Sequence, residues 1–476
     1  MIENGHWFWH RLWVCAVLLC AAGCTTPPDR QADPRESARQ ERGTWPRGSP
    51  TYRARAIPQL VPTASSASSN WDSERLWSQR VDWEPVIAAD PVTPDIYQLT
   101  TRYYAPECAT CPDPTIVFRR SDDGGATWRQ DSYLSRAGRE LADPQIAVAT
   151  DGTLYAAYLQ DWWPGAVLVK SLDRGKTWSQ PVGPLAKSYL EWSDKPILAI
   201  SSDGRDVYLA FNSNDSYVAA SHDYGESFSA PVKTNSDGRV WFHTDGVVAP
   251  DGTVYVAATD YTQNLMGRSH IAVLRSTDEG TSWQTIRIDT SAAAPRCRWW
   301  APGCYLGFLG PSAAIAIDSS GRLMLAYNAG TRQGEPQKLW IRTSQDGREW
   351  SRRRRISRPH RWVNNAFPAV EAGSLPGDFR VAWQDDRKTT KPKATNEIRW
   401  WNTWYRRTTD GGARWNKPIR LSNRGGATFY KSKRGYGFPY GDYLWLAVDG
   451  TDTNHVIWGE GESYNGNGGT WFARGK

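Results

Sequence analysis

Apolar and polar positions alternate over short stretches through most of the chain, and Asp-Gly pairs separate these stretches. Residues 144–158 (PQIAVATDGTLYAAY) and 247–257 (VVAPDGTVYVA) each place one apolar run on either side of such a pair. A short apolar run bounded by a turn is typical of a buried β-strand, and Asp-Gly favours a tight hairpin. Apolar positions at helical spacing are scarce. The pattern therefore predicts an all-β protein built from repeated hairpins.

A second pattern, Ser/Thr-x-Asp-x-Gly-x-Thr/Ser-Trp, recurs along the chain. Its Asp can accept hydrogen bonds from backbone N–H groups one or two residues on, its Gly can take a positive φ, and its final aromatic ring can be buried beneath the turn. The copies follow one another at 50 to 67 residues, a period that indicates propeller blades or solenoid units. Four close copies and two looser ones occupy residues 121–128, 171–178, 221–228, 276–283, 343–350 and 408–415.

This motif resembles the Asp-box, or BNR, repeat of the sialidase-like β-propellers, and the resemblance extends from about residue 70 to the end of the chain. It implies that each box joins the third and fourth strands of a blade, on the face opposite the binding site. Seven apolar segments qualify as the first, innermost strand of a blade. We expect these strands to begin near Glu84, Asp143, Asp194, Asp245, Pro311, Pro368 and Asp442.

Seven predicted innermost strands, against six boxes, indicate seven four-stranded blades in one domain, residues 71–476. The alternative is a six-bladed ring with a terminal extension. The last unit supplies only three strands before the chain ends. Residues 75–81 are similar to the segments that follow a box, such as residues 178–182. Because a propeller must close its ring without a long exposed sheet edge, we expect this N-terminal segment to be the missing fourth strand.

The N-terminus predicts export and lipid anchoring. Residues 1–23 form a lipoprotein signal peptide by this interpretation, because His10 and Arg11 precede an apolar run too short to span a bilayer. The run ends in Ala-Ala-Gly-Cys24, which resembles a bacterial lipobox, with ordinary secretion as the alternative. Lipid on Cys24 would anchor the protein in the bacterial cell envelope, at the outer membrane or cell surface. Residues 24–70, rich in Pro, Arg, Ser and Thr, predict a flexible tether.

Four cysteines remain once the predicted signal peptide and Cys24 are set aside, and they are Cys108, Cys111, Cys297 and Cys304. An even number in an exported chain favours disulfides. We expect two local pairs, the first two cysteines together and the last two together, because each pair lies within one loop. A zinc site built from all four thiolates is the alternative.

Charge and composition give little indication of a binding or catalytic site. The net charge of +7 is spread along the chain except for the run Arg352 to Arg355, which we interpret as a solvated outer strand, with a polyanion-binding patch as the alternative. Most of the 27 Trp residues are accounted for by boxes and blade interfaces. No motif indicates a cofactor, a metal site or nucleic-acid binding.

The ligand site is expected on the face opposite the boxes, where first strands begin and second strands end. Candidate groups for substrate binding there are Arg102, Asp161, Trp162, Asp194, Asp245, Arg332 and Arg387. Carboxylates, arginines and aromatic rings together suit a glycan or glycoconjugate, because sugar hydroxyls need paired acceptors and apolar ring faces need stacking. The alternative is that these aromatic side chains only brace long loops.

The resemblance to sialidases implies a Tyr nucleophile activated by a Glu. Tyr443, at the start of the last inner strand, and Glu460, at the end of the next strand, match those roles, and Asp143 is the third catalytic candidate. The family's Arg-Ile-Pro motif is missing, because residues 83–87 are WEPVI.

Three hypotheses about function follow. The first is a sialidase-type exo-glycosidase, the second is a non-catalytic propeller that binds a glycan or protein, and the third is a polysaccharide lyase. A lyase needs a group that handles the proton next to a uronic carboxylate, and His243 is the histidine available for that task.

Replacing Cys24 by Ala tests the anchor. We expect the variant to leave the membrane fraction, because the acylated thiol is the group that holds the protein there. Cell fractionation measures membrane association, and mass spectrometry identifies the first residue of the mature chain. A variant that stays in the membrane fraction, or a mature chain that begins elsewhere, would contradict lipidation at this residue.

Overall fold

The protein is described by a computed structural model for residues 70–78, 81–134, 138–161, 166–183, 194–213, 215–262, 268–294, 310–387, 400–422, 428, 430–462 and 468–476. These residues form antiparallel β-sheets joined by turns and loops, and they include no helix. None of the described segments is therefore an apolar helix of membrane-spanning length. Cys24 and the predicted signal peptide lie outside the described residues, so the predictions about them stay predictions.

Strand β1 (Arg75–Ser78) belongs to the last blade. Blade 1 contains β2 (Val81–Ala89), β3 (Ile96–Tyr103), β4 (Thr115–Ser121) and β5 (Ser132–Leu134). Blade 2 contains β6 (Leu141–Val148), β7 (Leu154–Gln160) and β8 (Ala166–Ser171). Blade 3 contains β9 (Asp194–Ile200), β10 (Val207–Ser213), β11 (Asp215–Ser221) and β12 (Val232–Lys233). Blade 4 contains β13 (Val240–Val248), β14 (Val254–Tyr261), β15 (Ser269–Ser276) and β16 (Gln284–Ser291).

Blade 5 contains β17 (Ala313–Ile317), β18 (Leu323–Ala329), β19 (Lys338–Ser344) and β20 (Arg354–Arg355). Blade 6 contains β21 (Asn365–Ala372), β22 (Phe379–Asp385), β23 (Asn402–Thr408) and β24 (Ile419–Arg420). A small hairpin follows, formed by β25 (Lys431–Ser432) and β26 (Gly435–Tyr436). Blade 7 contains β27 (Phe438–Val448), β28 (Asn454–Gly461) and β29 (Gly468–Gly475), together with β1.

The seven sheets form a closed ring. The innermost strands β2, β6, β9, β13, β17, β21 and β27 pack side by side in this order, and β27 packs against β2. Six sheets have four strands, and in blade 2 the outer position is held by a single bridge between Leu168 and Val182. The prediction of a seven-bladed propeller is confirmed, and the six-bladed alternative is wrong.

The N-terminal strand completes the last blade, as predicted. Strand β1 pairs antiparallel with β29, where Arg75 lies opposite Phe472 and Leu76 lies opposite Trp471. Trp71 extends this pairing through a bridge to Gly475. Both ends of the chain therefore lie in one sheet, and the hydrogen-bonding edge of β29 is covered.

Most inner strands begin two to five residues before the predicted positions, because the chain continues through a bulge that sequence analysis had treated as a strand start. In four blades a residue with positive φ directly precedes a proline, and these residues are Glu84, Asp143, Lys195 and Phe367. The register of the inner strand shifts at each of these sites. A bulge lets the strand accommodate a proline, which has no N–H for the ladder, so pairing resumes on both sides.

The boxes are hairpins between third and fourth strands, as the resemblance implied. In the second box the Asp173 carboxylate accepts hydrogen bonds from the hydroxyl of Ser171 at 2.8 Å and from the N–H of Thr177 at 2.9 Å. The same pair of contacts recurs at Asp123, Asp223 and Asp278. The N–H and hydroxyl of Thr177 lower the pKa of Asp173 to about 2. The box carboxylate is therefore a structural, ionised group.

The fifth box begins one residue later than the sequence pattern indicated. Ser344, not Thr343, donates its hydroxyl to Asp346 at 3.1 Å, and the N–H of Gly347 donates to the Ser344 oxygen at 2.9 Å. The glycine follows the aspartate directly in this copy. The turn is therefore shortened by one residue but keeps its hydroxyl, carboxylate and glycine.

Each box glycine also contacts the preceding blade. Gly175 has φ +80°, and a Cβ placed on it would lie 2.2 Å from a ring carbon of Phe118 in blade 1. The box residue Trp178 packs edge-on against the same ring, with centroids 5.4 Å apart. Gly347 approaches Tyr255 of blade 4 in the same way, at 2.1 Å. The glycine is thus required twice, for the turn and for packing between blades.

Gly175→Ala and Gly252→Ala separate these two requirements. Both residues have φ near +80°, but a Cβ at Gly252 meets no atom within 4 Å. We expect Gly252→Ala to lower the free energy of unfolding by about 1–2 kcal/mol through backbone strain. Gly175→Ala should cost about 1–3 kcal/mol more, because the methyl group displaces the Phe118 ring. Chemical denaturation measures both. Equal losses would show that contact with the preceding blade does not constrain the box glycine.

Candidate functional site

The first strands begin on the face opposite the boxes, because each box joins the third strand of its blade to the fourth. The positive-φ bulges lie at this end of the inner strands, around the mouth of the central channel. Three of them carry ionisable side chains, Glu84 in blade 1, Asp143 in blade 2 and Lys195 in blade 3. A bulge redirects its side chain. These three blades therefore contribute charged groups to one place.

Three carboxyl groups meet at the mouth. The Asp143 carboxyl hydrogen-bonds with the carboxyl groups of Glu84 and Asp194. Burial raises the pKa of Asp143 well above its ordinary range, and the Glu84 carboxylate raises it further. Thr101 fixes the geometry, because its hydroxyl accepts from the N–H of Asp143 at 3.1 Å and donates to Glu84 at 3.4 Å. The raised pKa of Asp143 favours its protonated form.

An ammonium group and two phenols adjoin this carboxyl cluster. The Nζ atom of Lys195 lies 4.5 Å from the ring centroid of Tyr443, which comes from blade 7. Tyr443 packs against the core of blades 1 and 2 and retains 9 % of its surface exposed. Burial, and then the Glu84 carboxylate, raise the pKa of Tyr103. The mouth thus combines a proton donor, a cation and phenolic hydroxyl groups.

Such a set of groups can transfer a proton and can hydrogen-bond sugar hydroxyls. Three of its members, Asp143, Asp194 and Tyr443, were predicted as site residues, whereas Glu84 and Thr101 were not among the candidates. The signal for Glu84 was present in the sequence, because Glu84-Pro, Asp143-Pro and Lys195-Pro occur at the starts of three successive blades. Thr101 carries no such signal. Within the described ranges, no group of three or more His, Cys, Asp or Glu side chains is arranged to hold a metal ion.

The three arginines predicted to bind substrate are each engaged within their own blade. Arg102 is buried and pairs with Asp82 at 2.9 Å, Glu107 at 2.8 Å and Asp131 at 3.3 Å. Arg387 donates to both oxygens of Asp385 at 2.9 Å and lies 3.6 Å from the centroid of the Trp404 ring.

Arg332, the third, is 81 % exposed and lies 3.8 Å from Glu335. The structure therefore does not bring these three guanidinium groups together. Two of them stabilise their blades by pairing with buried carboxylates.

Two predicted aspartates have different surroundings. Asp161 accepts from the N–H of Glu140 at 3.0 Å and pairs with Arg139, so it holds the top loops of blade 2. Asp245 accepts from the N–H groups of Ile315 at 2.9 Å and Gly246 at 2.8 Å. Burial raises the pKa of Asp245 to about 8. Trp162 lies outside the described residues.

Glu460 is fully buried between other partners. Both of its oxygens accept from Nζ of Lys431 at 2.8 Å, and one accepts from Nε1 of Trp458 at 2.8 Å. Lys431 also pairs with Glu74 at 2.7 Å, and all three charged side chains are inaccessible to solvent. Glu460 lies opposite Pro439 in the sheet, because the bulge of β27 displaces Tyr443 from the regular register. These contacts favour a structural role for Glu460.

His243, the candidate for a lyase, is also buried. Its Nε2 atom lies 2.6 Å from the hydroxyl oxygen of Ser216, and burial lowers its pKa to about 3. The ring is neutral and has no exposed surface. These contacts favour a structural role for His243, the histidine on which the lyase hypothesis rested.

The first predicted disulfide is confirmed. Cys108 and Cys111 are bonded, with Cα atoms 5.3 Å apart, in the loop between β3 and β4. This loop also carries Glu107, the partner of Arg102. Cys297 and Cys304 lie outside the described residues, so their pairing stays a prediction.

The sequence was compared with known protein families. Residues 61–293 match the BNR repeat-like domain. The chain therefore contains a BNR repeat-like domain, and its described residues form a β-propeller. Comparison of this BNR propeller with curated protein sequences gave no significant match.

Solved structures with low sequence identity resemble the BNR propeller. A protein of unknown function from Dyadobacter fermentans is 12% identical, with 84% of this chain and 98% of that chain covered and a TM-score of 0.44. A Hadza microbial sialidase is 14% identical over 87% of this chain and 70% of that chain, with a TM-score of 0.41. The Trypanosoma rangeli sialidase is 13% identical, with 87% of this chain and 57% of that chain covered and a TM-score of 0.41. We transfer no site residue from these proteins.

Substitutions in the buried ion group test the structural role of Glu460. Lys431→Met leaves Glu74 and Glu460 buried without their cation, and we expect it to lower the free energy of unfolding by about 3–5 kcal/mol. Glu460→Gln should cost less, because Lys431 keeps Glu74 as its partner. Tyr443→Phe should change stability little, because the ring still fills its place. Calorimetry compares the three variants. A destabilised Tyr443→Phe with a neutral Glu460→Gln would contradict this assignment of roles.

Proposed function

We propose that this BNR propeller is a glycoside hydrolase that acts on glycans at the channel mouth. The observation that carries the proposal is the contact of Asp143 with two other carboxyl groups, beside Lys195 and Tyr443, in surroundings that raise its pKa. A carboxylic acid with a raised pKa is the group that protonates a glycosidic oxygen at neutral pH. The resemblance to sialidases, in which a glycan is cleaved at this face, supports the same assignment.

Asp143 is the proton donor in this proposal, and Tyr443 is the nucleophile. The phenol would give its proton to a carboxylate of the cluster and bond to the anomeric carbon, while the glycosidic C–O bond breaks and Asp143 protonates the leaving oxygen; water then releases the sugar from the tyrosine. Glu84 and Asp194 are each hydrogen-bonded to Asp143, which is closer than the roughly 5 Å that separates an acid from a carboxylate nucleophile in retaining glycosidases. A carboxylate of the cluster is therefore too near Asp143 to attack the sugar. The Tyr443 hydroxyl group, whose oxygen is buried beside Lys195, is the nucleophile that the resemblance to sialidases suggests. The ammonium group of Lys195, over its ring, stabilises the negative charge that develops on the phenol.

The charges at the mouth favour a neutral sugar over sialic acid. Glu84, Asp143 and Asp194 contribute carboxyl groups, whereas Lys195 is the cation that adjoins them. A sialic acid carboxylate is recognised by a cluster of arginines, and the three predicted arginines are not assembled into one. Sialidase-type cleavage of an anionic sugar is therefore the second substrate class to examine, after neutral glycosides.

A non-catalytic glycan-binding propeller is the second candidate function. It is favoured by the mutual hydrogen bonds of the carboxyl groups, which leave Asp143 less free to donate to a substrate oxygen. Calorimetric titration with intact oligosaccharides distinguishes the two. A binding protein retains its ligand unchanged, whereas a hydrolase releases a reducing sugar.

Lipid anchoring at Cys24 and a location in the bacterial cell envelope remain part of the proposal. They rest on the signal-peptide pattern and on the resemblance of Ala-Ala-Gly-Cys24 to a lipobox. Asn70, the first described residue, accepts a hydrogen bond from the N–H of Lys476 at 3.1 Å, at the box-face end of blade 7. The chain therefore enters the propeller on the face opposite the channel mouth.

Asp143→Asn and Tyr443→Phe test the proposed roles. We expect both to lower kcat on a cleaved fluorogenic glycoside by about 10²–10⁴-fold with little change in Tm. Because the acid must be protonated, wild-type activity should fall as pH rises through the raised pKa of Asp143, and Asp143→Asn should lose this dependence. The matched control is Asp151→Asn, at the box-face turn of the same blade, which should keep full activity.

The substrate panel contains neutral hexosides, N-acetylhexosaminides, uronides and sialosides. Full activity of both site variants on a cleaved substrate would contradict the assignment of Asp143 and Tyr443. Absence of cleavage across the panel, together with binding of a glycan, would favour the non-catalytic propeller.

A further inference from the structure

A strongly basic segment lies on the outer edge of blade 5, a blade that contributes no residue to the carboxyl cluster. Residues 352–361 contain six arginines and one histidine, and no Asp or Glu occurs between Glu349 and Glu371. The segment comprises β20, the outermost strand of the blade, and the turn that follows it. We call it the basic edge. Its arginines are Arg352, Arg353, Arg354, Arg355, Arg358 and Arg361.

Two of these arginines fix the basic edge to the neighbouring blades. Arg353 lies 4.4 Å from the centroid of the Trp340 ring and pairs with Asp289 of blade 4 at 3.1 Å. Arg354 donates to the carbonyl oxygen of Ala413, in the box of blade 6, at 2.9 Å. The backbone of the edge is therefore held on both sides.

The other four arginines have exposed side chains that point to no carboxylate. They are Arg352, Arg355, Arg358 and Arg361, and within the described ranges none of them forms an ion pair. Arg287, in blade 4, contrasts with them because it pairs with Asp237 at 3.1 Å. Four guanidinium groups in ten residues without such partners form a local concentration of positive charge.

The turn that follows β20 is held in shape from beneath. The ammonium group of Lys338 donates to the carbonyl oxygens of His360 at 2.9 Å, Arg361 at 3.2 Å and Val363 at 2.8 Å. This uses all three of its donors on the backbone. Arg361 lies 4.5 Å from the centroid of the Trp362 ring, and Trp362 is 39% exposed. A guanidinium group and an aromatic face are thereby presented to solvent in a fixed arrangement.

We propose that the basic edge binds an anionic polysaccharide, at a site distinct from the carboxyl cluster. Guanidinium groups bind carboxylate or sulfate groups through paired hydrogen bonds, and four exposed guanidinium groups lie within ten residues here. A polymer with a repeated negative charge can pair with several of them at once. The face of Trp362 suits a pyranose ring.

A single exposed aromatic side chain distinguishes this surface from a single-stranded nucleic-acid site. Such sites stack successive bases on several aromatic rings, and duplex DNA is read by an element that enters a groove. The basic edge offers one ring and a two-residue strand. These features favour a polysaccharide, and nucleic acid is an outcome that the experiment must distinguish.

The test measures binding of the full propeller to polygalacturonate, dextran sulfate and neutral dextran by calorimetric titration. The first variant replaces Arg352, Arg355, Arg358 and Arg361 by Gln. The control variant removes the same number of charges from exposed positions elsewhere, at Lys176, Arg268, Arg434 and Lys476, also by Gln. The melting temperature of each variant is measured first, so that a folding defect is recognised.

We expect the wild type to bind at least one of the two polyanions and not neutral dextran, with affinity that falls as salt rises. The edge variant should lose at least tenfold in affinity, the control less than twofold, and Trp362→Ala several-fold. The polyanion that binds shows whether carboxylate or sulfate is preferred. Equal losses in the two four-residue variants, no binding of either polyanion at low salt, or tighter binding of a single-stranded oligonucleotide would each overturn the proposal.

Discussion

The pairing of β1 with β29 closes the ring, and the candidate site depends on it. Glu84, Asp143, Lys195 and Tyr443 come from blades 1, 2, 3 and 7. Tyr443 reaches Lys195 because blade 7 packs against blade 1, with β27 beside β2. The closure is reinforced by Lys431, which joins Glu74 of the N-terminal segment to Glu460 of blade 7. A buried cation between two carboxylates is worth more as a means of fixing one arrangement than as a source of stability.

A bulge at the start of the inner strand positions the charged side chains in each of blades 1 to 3. A residue with positive φ before a proline costs about 1–3 kcal/mol of backbone strain, and it persists only where the surrounding sheet compensates. In blades 1 to 3 this position is occupied by residues with ionisable side chains, Glu84, Asp143 and Lys195. In blade 6 it is occupied by Phe367. The strained residues are therefore the ones that furnish the charged groups at the mouth.

Charges in this propeller fall into two physical classes. Those of Arg102, Arg387 and Glu460 are buried and neutralised by partners in the same part of the fold, so they stabilise structure. Those of Arg352, Arg355, Arg358 and Arg361 are exposed and form no ion pair among the described residues. The carboxyl cluster belongs to neither class, because Asp143 is buried next to two other acids and its pKa is raised although Lys195 is near.

The sequence alone determined the number of blades, the position of the boxes, the closing strand and the disulfide between Cys108 and Cys111. These features follow from short patterns, because a turn is specified by its own residues and a strand by its own periodicity. The repeat also placed Asp143 and Asp194 at the same end of their blades, where the structure brings them together. Fold class and blade order could therefore be predicted from local chemistry.

Tertiary structure decided which side chains meet. The sequence paired Tyr443 with Glu460 by counting along regular strands, but a bulge between Pro439 and Leu444 shifts that register, and Lys431 arrives from a separate hairpin to take the carboxylate. Sequence analysis also placed Arg102 and Arg387 at the mouth. In the structure Arg102 pairs with Asp82, 20 residues away, and Arg387 pairs with Asp385, 2 residues away. These carboxylates hold both arginines inside their blades. A guanidinium group or a carboxylate in a sequence has no fixed partner. Only packing in three dimensions decides whether its charge is neutralised within the fold or left at the surface for a ligand.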